Sequence, residues 1–415
     1  MKYLELVRNV YARSRAGKFR RKYVDHLCEQ NSDKNISAVM GVRRAGKSTI
    51  MKQVLKELLK QGVEEKNTLY VNFEDPRLGQ LLEDNTLFHV IDEFNKAADN
   101  RSRTYFLFDE IQNVQNWEQI LRALLDQERN AKFYITGSSA SLLGRELGTK
   151  LSGRYISTEV FPLSFLEIKQ FSQKIIVKRF IEYGGFPDVV LSKNSETKQQ
   201  LLRDYFESIL LRDVAQRYNI RRDYTLRRLA SWLFTNISCQ ASSYRLSKDL
   251  GISPDTVLQY FNYIEDAYLG FFIPKYSASV RKQAYNPKKF YSIDTGLQRA
   301  VSFRIIDEYG KAFENIVFLE LRRRFKEIYY WEEEHEVDFI IKQGESIKMI
   351  INVCVDTRNE KTLHRECTSL QEAMNNLHIP ESYLVVMKGE NEVIETEVGK
   401  VRVVKFEDFV ERVLH

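Results

Sequence analysis

Residues 41–49 are Gly41-Val42-Arg43-Arg44-Ala45-Gly46-Lys47-Ser48-Thr49 and fit the pattern GxxxxGK(S/T). The two glycines let backbone N–H groups turn inward around phosphate oxygens, Lys47 adds a compact positive charge, and the Ser48 hydroxyl can coordinate Mg²⁺. An apolar stretch over 36–40 enters the loop, and a helical pattern over 48–61 leaves it. Because strand, loop and helix follow in this order, the loop is predicted to bind ATP and Mg²⁺ as a Walker A motif rather than to form a chance glycine turn.

Strand-like apolar runs alternate with helical patterns along the first part of the chain. The runs cover 36–40, 68–73, 104–108 and 132–136, and the helical patterns cover 48–61, 85–97 and 117–127. Continuous apolar strands joined by helix-sized crossovers are typical of a parallel sheet that helices cover on both faces. The predicted fold class is therefore α/β, with the parallel sheet of a P-loop NTPase.

Two acids end the third predicted strand, at 105–110, as expected of a Walker B segment. Asp109 is predicted to hold Mg²⁺ through water, and Glu110 to act as the general base that polarises the attacking water. A solvated turn is the alternative for an Asp-Glu pair at a strand end. Asn72, at the end of the second strand, is a candidate partner that restrains Glu110 by a hydrogen bond, although it can equally be a simple strand-end residue.

Polar and basic residues after the fourth strand complete the predicted catalytic set. Ser138, in the run 136–139, is placed near the γ-phosphate if the fourth strand lies between the first and the third. Arg145 and Arg154 follow this strand, and either can stabilise the charge on the transferred phosphate. Arg154 is preferred because Gly153 lets the backbone approach closely. A surface salt bridge is the alternative for this arginine.

Composition and charge limit the class of protein. The chain has 415 residues and a net charge of +6, which permits contact with nucleic acid without demanding it, because Lys and Arg are spread throughout. No apolar run is long enough to span a bilayer, and the charged N-terminus lacks a secretion signal, so we expect a soluble, cytoplasmic protein without membrane contact. The four cysteines lie far apart, which argues against a zinc site or a disulfide framework.

Several stretches together resemble the bacterial and archaeal AAA-type ATPases that carry a C-terminal domain of unknown function. These stretches are GVRRAGKST, YFLFDEIQNV, YITGSSASLL, GRYISTEVFPLSF, GGFP, ESILLRDVAQRY, FYSIDTGL and EVDF, and they cover nearly the whole chain. Such proteins are similar to origin-recognition-like and STAND-like ATPases. The resemblance implies a P-loop core, a helical lid with a winged helix, and a C-terminal α/β domain that resembles the PD-(D/E)xK nuclease fold.

The resemblance divides the chain into four predicted parts. Basic N-terminal helices cover 1–34, and the AAA-type ATPase core covers 35–170. A helical lid with a winged helix covers 171–280, and the PD-(D/E)xK-like domain covers 281–415. The basic run near the N-terminus is expected to form a solvated face.

A helix-turn-helix is predicted over 243–266, where Ser253 caps the second helix and Pro254 takes its first position. The second helix contains acids and no Lys or Arg, so it is expected to pack against protein rather than to enter a DNA groove. The segment 275–290 interleaves basic with aromatic residues and is the better candidate for DNA contact. Its alternative is a solvated wing.

The C-terminal domain is predicted to have kept a nuclease-like fold without the chemistry. The resemblance implies a helix glutamate and a strand aspartate, and Glu314 and Asp338 match them. Asn352 stands where the next acid should be, and Cys354 where the lysine should be, so Mg²⁺ would be held by too few charges. Asp356 shares the strand face and is the alternative ligand. A vestigial site is therefore expected.

Three classes of function remain open at this stage. The first is an ATP-driven switch or remodeller acting on an unknown protein or nucleic-acid client, and the second is an ATP-regulated nuclease. The third is a nucleotide-dependent scaffold that binds DNA or a partner with little turnover. The presence of Glu110 favours the first class over the third, and the altered residues at 352 and 354 disfavour the second. An arginine that reaches a neighbour's nucleotide would also require an ATP-dependent oligomer.

Overall fold

Contacts between residues divide the protein into two units. The first consists of Met1–Phe161 with Asp266–Tyr268, and the second of Pro162–Glu265 with Leu269–His415. The computed structural model describes residues 21–77, 86–97, 102–127, 130–138, 153–172, 175–221, 223–277, 279, 283, 286–302 and 309–414. Each unit has its own sheet system and is described separately below.

The first unit is built on a parallel sheet. Its strands are β1 (Ile36–Met40), β2 (Thr68–Asn72), β3 (Thr104–Asp109), β4 (Ala131–Gly137) and β5 (Tyr155–Glu159), in the spatial order β2-β3-β4-β1-β5. All neighbouring strands pair in parallel, which confirms the predicted fold class. Because β4 lies between β1 and β3, the carboxyl ends of these three strands meet at one edge of the sheet.

Helices connect these strands, and aromatic rings fill the space between them and the sheet. The helices are α1 (Tyr23–Glu29), α2 (Lys47–Lys60), α3 (Thr86–Ala97) and α4 (Trp117–Gln127). Phe106 of β3 stacks on Phe133 of β4 with ring centroids 4.9 Å apart, and Phe94 of α3 meets Phe106 edge-on at 5.3 Å. The three inner strands β1, β3 and β4 are buried at every position, because both faces of the sheet are covered there.

The second unit begins with short helices and one long one. They are α5 (Phe165–Phe171), α6 (Val177–Tyr183), α7 (Pro187–Leu191), α8 (Ser195–Ser208) and α9 (Asp223–Thr235). A π-helical segment, Ile209–Gln216, extends α8, so the hydrogen-bond pattern changes partway along this helical stretch. Ser164 and Glu167 form a capping box at the start of α5, which fixes where that helix begins.

The predicted helix-turn-helix pattern corresponds to α10 (Ser243–Leu250) and α11 (Pro254–Asp266), joined at Gly251, whose φ of 67° is left-handed. An antiparallel sheet accompanies them, with strands β6 (Cys239–Ala241), β7 (Gly270–Ile273) and β8 (Lys288–Ser292) in the order β6-β8-β7. The buried side of α11 carries Val257, Tyr260, Phe261 and Ile264. The helix α11 is therefore an amphipathic helix whose apolar side packs against the protein.

Asp294 joins two sequence motifs that lie far apart in the chain. Its carboxylate caps α12 (Thr295–Val301) by accepting from the N–H groups of Gly296 and Leu297, and it also accepts from Gly185 N–H at 2.6 Å. Gly184 has φ of 68°, and a Cβ there would lie 1.8 Å from the Asp294 carboxylate. Burial raises the pKa of Asp294 to about 7, against the lowering effect of the backbone hydrogen bonds. This contact explains the glycine at 184, whereas at Gly185 a Cβ would lie 2.1 Å from the Leu163 carbonyl oxygen.

A larger sheet dominates the C-terminal part of the second unit. Its strands are β9 (Glu327–Glu332), β10 (Glu336–Gln343), β11 (Ser346–Asp356), β12 (Glu381–Lys388), β13 (Glu392–Thr396) and β14 (Gly399–Lys405), in the order β13-β14-β12-β11-β10-β9. The pairs β9–β10, β10–β11 and β13–β14 are antiparallel, whereas β11–β12 and β12–β14 are parallel. The helices are α13 (Tyr309–Arg322), α14 (Glu360–Leu377) and α15 (Phe406–Asp408), the last continuing as a π-helical turn.

None of the helices in the described ranges is both long enough and apolar enough to cross a bilayer. The four cysteines, all within the described ranges, are free thiols.

Candidate active site

The loop between β1 and α2 contains backbone conformations that favour glycine. Arg44 and Gly46 have φ of 70° and 96°, both left-handed, and such a conformation turns the backbone N–H groups toward the inside of the loop. Val160 N–H donates to the Met40 carbonyl at 2.6 Å, so the chain after β5 presses against the start of the loop. A Cβ at Gly41 would lie 2.0 Å from the Val160 carbonyl oxygen. Glycine is therefore required there for close approach.

Lys47 begins α2 and turns its side chain back over the loop. Its ammonium donates to the carbonyls of Gly41 at 3.0 Å and Val42 at 3.2 Å, and it lies 3.7 Å from a carboxylate oxygen of Glu110. The side chain is buried. A buried ammonium held between loop carbonyls and a carboxylate is available to phosphate oxygens without a large change of position.

Asp109, the last residue of β3, is fully buried, and its carboxylate accepts hydrogen bonds from three hydroxyl groups. Tyr70 donates to one carboxylate oxygen at 2.8 Å, Thr136 donates to the other, and the Ser48 hydroxyl also hydrogen-bonds to the carboxylate. Burial raises the pKa of Asp109, whereas these hydroxyl donors act to lower it. Asp109 and Ser48, the two predicted Mg²⁺ ligands, are thus brought together.

Glu110 follows β3 and does not continue its alternation. Its φ of 54° is left-handed, and its N–H donates to the Thr136 hydroxyl at 2.9 Å. Gln112 donates to its carboxylate. The backbone turn directs the carboxylate toward Lys47. Such a turn is invisible in a period-two pattern.

Asn72 does not take the role considered for it. Its side-chain oxygen accepts from the N–H of Glu74 at 2.9 Å, two residues on, so it forms a local turn at the end of β2. The partner of Glu110 in the structure is Gln112. Glu74 also receives Arg43 of the loop, at 2.6 Å.

The end of β4 enters the same cluster through Thr136. Ser138, the predicted sensor, is buried two residues further on, and Ser139 lies outside the described residues. Strand alternation places Thr136 and Ser138 on the same side of the chain. The contact with Asp109 belongs to Thr136, whose signal in the sequence was its position at a strand end beside Gly137.

Arg21 is a contributor that the sequence argument missed. It is buried, and its guanidinium donates to the carbonyl of Ala45 at 2.8 Å and to that of Phe161 at 2.9 Å. The expectation that the basic run near the N-terminus is a solvated face is therefore wrong for this residue. Residues 1–20 lie outside the described part of the chain. No local pattern separates Arg21 from its basic neighbours.

Arg145 and Arg154 were the two candidates for an arginine finger, the arginine that stabilises charge on the transferred phosphate. The Arg154 side chain is 45% exposed and pairs with Asp126 of α4 at 2.7 Å, while its carbonyl accepts from Ile36 N–H. Arg145 falls outside the described residues. Within the described part of the first unit, Arg154 forms the surface ion pair that was its alternative, and its side chain remains accessible to a second molecule.

The residues at this sheet edge fit ATP and Mg²⁺. A hydroxyl and a carboxylate, from Ser48 and Asp109, are the oxygen ligands that Mg²⁺ prefers, and they already contact each other. The loop carries left-handed residues, and Gly41 leaves no room for a side chain. Lys47 lies at the start of a 14-residue helix, where anions are stabilised.

The C-terminal candidate residues separate into two groups. Glu314 of α13 and Asp338 of β10 lie on either side of Lys289, whose ammonium is 3.4 Å from an oxygen of each. Asn352 accepts from the N–H of Asp338 and donates to Glu366 and Ser369. Cys354 packs in the hydrophobic core.

A lysine does lie beside Glu314 and Asp338, but it comes from another strand. It is Lys289 of β8, and no local spacing in the sequence links it to these two acids. Asp356, the alternative ligand, accepts a hydrogen bond from Arg358, and this bond lowers the pKa of Asp356. It does not join the cluster around Lys289 in the described contacts.

Burial removes part of the segment 275–290 as a candidate for DNA contact. Lys289 and Phe290 are buried, so neither can contact DNA from this position. Tyr276 packs against the C-terminal hydrophobic core and meets Tyr329 edge-on at 5.7 Å. Arg281, Lys282 and Tyr285 lie outside the described residues.

Comparison with known families matches three consecutive models. Residues 33–169 match an AAA domain, residues 175–305 match a domain of unknown function (DUF8612), and residues 309–408 match another (DUF4143). A walker-type ATPase of Pyrococcus abyssi, PABY2304, is 13% identical with a TM-score of 0.45, over 68% of this chain and 95% of that chain.

Two relatives match over most of their length. An uncharacterized protein of Haemophilus influenzae is 29% identical over 405 residues, which cover 94% of this chain and 98% of the relative. The uncharacterized protein MJ1544 of Methanocaldococcus jannaschii is 33% identical over 389 residues, which cover 87% of this chain and 83% of the relative. At this identity over this length, the chain belongs to the family of AAA-domain proteins that includes MJ1544.

Proposed function

We propose that this protein is an Mg²⁺-dependent ATPase of the AAA type that works as a molecular switch or remodeller. The observation that carries the proposal is the meeting of phosphate-binding, metal-binding and basic groups at one sheet edge, from Lys47, Ser48, Asp109, Glu110 and Thr136. These residues follow three adjacent parallel strands. The AAA-domain match over 33–169 supports the same assignment.

Each residue has a distinct task in hydrolysis. When bound, Mg²⁺ would neutralise charge on the phosphates of ATP, whose phosphoanhydride bond is broken. Lys47 would bind the phosphates, and Ser48 and Asp109 would hold the cation. Glu110 would accept the proton of the water that attacks the γ-phosphorus as the bond to ADP breaks. Gln112 donates to Glu110, which orients the carboxylate.

We further propose that the second unit carries the response to ATP. In this proposal β6, α10, α11, β7 and β8 form a winged helix, and the C-terminal sheet belongs to a degenerate PD-(D/E)xK-like domain. Tyr244 and Leu258 are 61% and 40% exposed on α10 and α11. Exposed apolar side chains, the acids of α11 and the burial of Lys289 favour a protein client over DNA.

The test of hydrolysis compares two variants with opposite expectations. Lys47→Ala should abolish nucleotide binding, because the phosphate-binding charge is lost. Glu110→Gln should keep binding and lower ATP turnover about 10²–10⁴-fold, because the general base is removed. Binding is measured with a fluorescent ATP analogue and turnover by phosphate release in Mg²⁺.

Glu64→Gln is the matched control, since this exposed glutamate makes an ion pair with Lys66 at 2.9 Å and follows the C-terminal end of α2, whereas the loop precedes the N-terminal end. It should retain both binding and turnover. Equal turnover in wild type and Glu110→Gln would remove Glu110 from the role of base. Binding without any turnover in the wild type would favour the scaffold alternative.

A further inference from the structure

Three carboxylates surround one buried lysine in the second unit. Lys289 of β8 places its ammonium 2.6 Å from Glu336, 3.4 Å from Glu314 and 3.4 Å from Asp338. Glu336 and Asp338 are two residues apart on β10 and therefore share a face, whereas Glu314 reaches in from α13. The Lys289 side chain is only 2% exposed. We call these four residues the lysine cluster.

The charges in the lysine cluster are strongly coupled. Burial by itself would lower the pKa of Lys289, but the carboxylates of Glu314, Asp338 and Glu336 outweigh it and raise the pKa above its usual range. Burial raises the pKa of Asp338 and of Glu314, and Lys289 acts to lower both. The ammonium is therefore charged, and it is the cation that makes buried carboxylates tolerable there.

The other groups facing the cluster complete its hydrogen bonds. Tyr291 of β8 donates to Glu314 at 2.7 Å, and the N–H of Val353 donates to Asp338 at 2.9 Å. The Tyr330 ring of β9 lies 5.6 Å from the Lys289 ammonium, within cation–π range. The inward carboxylate oxygens are thus committed to donors supplied by the chain itself.

The Lys289 ammonium fills the space between three carboxylates, whose oxygens are the ligand type that a hard divalent cation favours. Mg²⁺, Mn²⁺ and Ca²⁺ favour carboxylate oxygens, and binding one here would place two like-signed cations beside each other in a buried site. We propose that Lys289 is a built-in cation that closes the lysine cluster to divalent metal ions, and that removing its ammonium converts the cluster into a divalent-cation site.

This inference does not depend on the nucleotide site, because every residue in it belongs to the second unit. It also gives β8 a role in the C-terminal domain. The ammonium links the antiparallel sheet of β6, β7 and β8 to β10 and α13 by charge. The lysine thus supplies the positive charge that three neighbouring carboxylates require for burial.

The experiment counts bound Mn²⁺ by electron paramagnetic resonance on the nucleotide-free full chain. Wild type and Asp338→Asn should bind the same number of Mn²⁺ ions, because the cluster is closed in both. Lys289→Met should bind one more ion than wild type, and the double variant Lys289→Met with Asp338→Asn should lose that ion. Lys288→Met is the matched control, since strand alternation directs the neighbouring side chain to the other face, and it should match wild type.

Two results would overturn the proposal. The first is a wild-type protein that binds one more Mn²⁺ than Asp338→Asn, or that nicks supercoiled DNA with Mn²⁺ when Asp338→Asn does not. The second is a folded Lys289→Met protein that gains no ion. If Lys289→Met folds poorly, Mn²⁺ should raise its melting temperature and leave that of wild type unchanged; a failure of Mn²⁺ to stabilise the variant would count against the proposal.

Discussion

Arg21 connects the N-terminal part of the chain to the phosphate-binding loop. Its guanidinium bonds the carbonyls of Ala45, inside the loop, and Phe161, after β5, and it lies 4.9 Å from the ring of Tyr23. A buried carbonyl that loses its donor costs about 1–3 kcal/mol. Arg21→Ala is therefore expected to lower the free energy of unfolding by about this amount and to weaken ATP binding, because the loop loses a support.

This prediction is checked by urea unfolding and by titration with a fluorescent ATP analogue. Lys22→Ala is the control, because Lys22 is the next residue and its side chain is exposed. Such a surface substitution usually changes the free energy of unfolding by no more than about 0.5 kcal/mol. Wild-type ATP affinity in Arg21→Ala would show that the loop holds its shape without the arginine. A loss of affinity in Lys22→Ala of the same size would point to general charge instead.

At the scale of elements, the loop, β1 and the chain after β5 form one tightly packed unit around Gly41. An alanine Cβ at this position would meet the Val160 carbonyl oxygen at 2.0 Å, and backbone cannot move aside as a flexible side chain can. Gly41→Ala is therefore expected to abolish nucleotide binding and to destabilise the first unit. Binding and thermal unfolding of the variant measure the two effects.

Gly62 provides a matched control for the backbone conformation alone. It follows α2 with φ of 91°, and nothing lies within 4 Å of an added Cβ. Gly62→Ala should cost about 1–2 kcal/mol from the left-handed backbone and leave nucleotide binding intact. If both variants bind nucleotide equally, close packing against Val160 is not what Gly41 provides.

At the scale of the whole molecule, the open question is assembly. The ion pair between Arg154 and Asp126 is exposed and is expected to contribute only about 0–1 kcal/mol to stability. If Arg154 instead reaches a neighbour's nucleotide, Arg154→Ala should spare ATP affinity, lower turnover about 10³-fold or more, and make the rate per molecule independent of protein concentration. Light-scattering mass with and without ATP and Mg²⁺ reports the assembly itself.

Asp126→Ala breaks the same ion pair but keeps the arginine, so it separates the two roles. It should retain turnover if Arg154 acts on nucleotide. Unchanged turnover in Arg154→Ala would transfer the role to Arg145 or to no arginine. A protein that stays monomeric with ATP and Mg²⁺ while hydrolysing ATP would exclude a finger in trans.

The sequence by itself determined the parallel sheet, its loop and the residue pairs that local spacing defines. GxxxxGK(S/T) fixes Lys47 and Ser48 at the start of α2, and the apolar run before Asp109 and Glu110 fixes them at a strand end, because both patterns are short-range. The strand β5 was not predicted, since Tyr155–Glu159 is partly polar and lies at the sheet edge. Local periodicity carries no signal for such a strand.

Only the tertiary structure decided which distant groups meet. Thr136 contacts Asp109 because β4 lies beside β3, and Arg21 contacts Ala45 because Arg21, two residues before α1, lies against the loop. Lys289 contacts Glu314 and Asp338 although the three residues lie on three different elements, β8, α13 and β10. Sequence spacing encodes contacts along one element, whereas contacts between elements depend on how their buried faces pack.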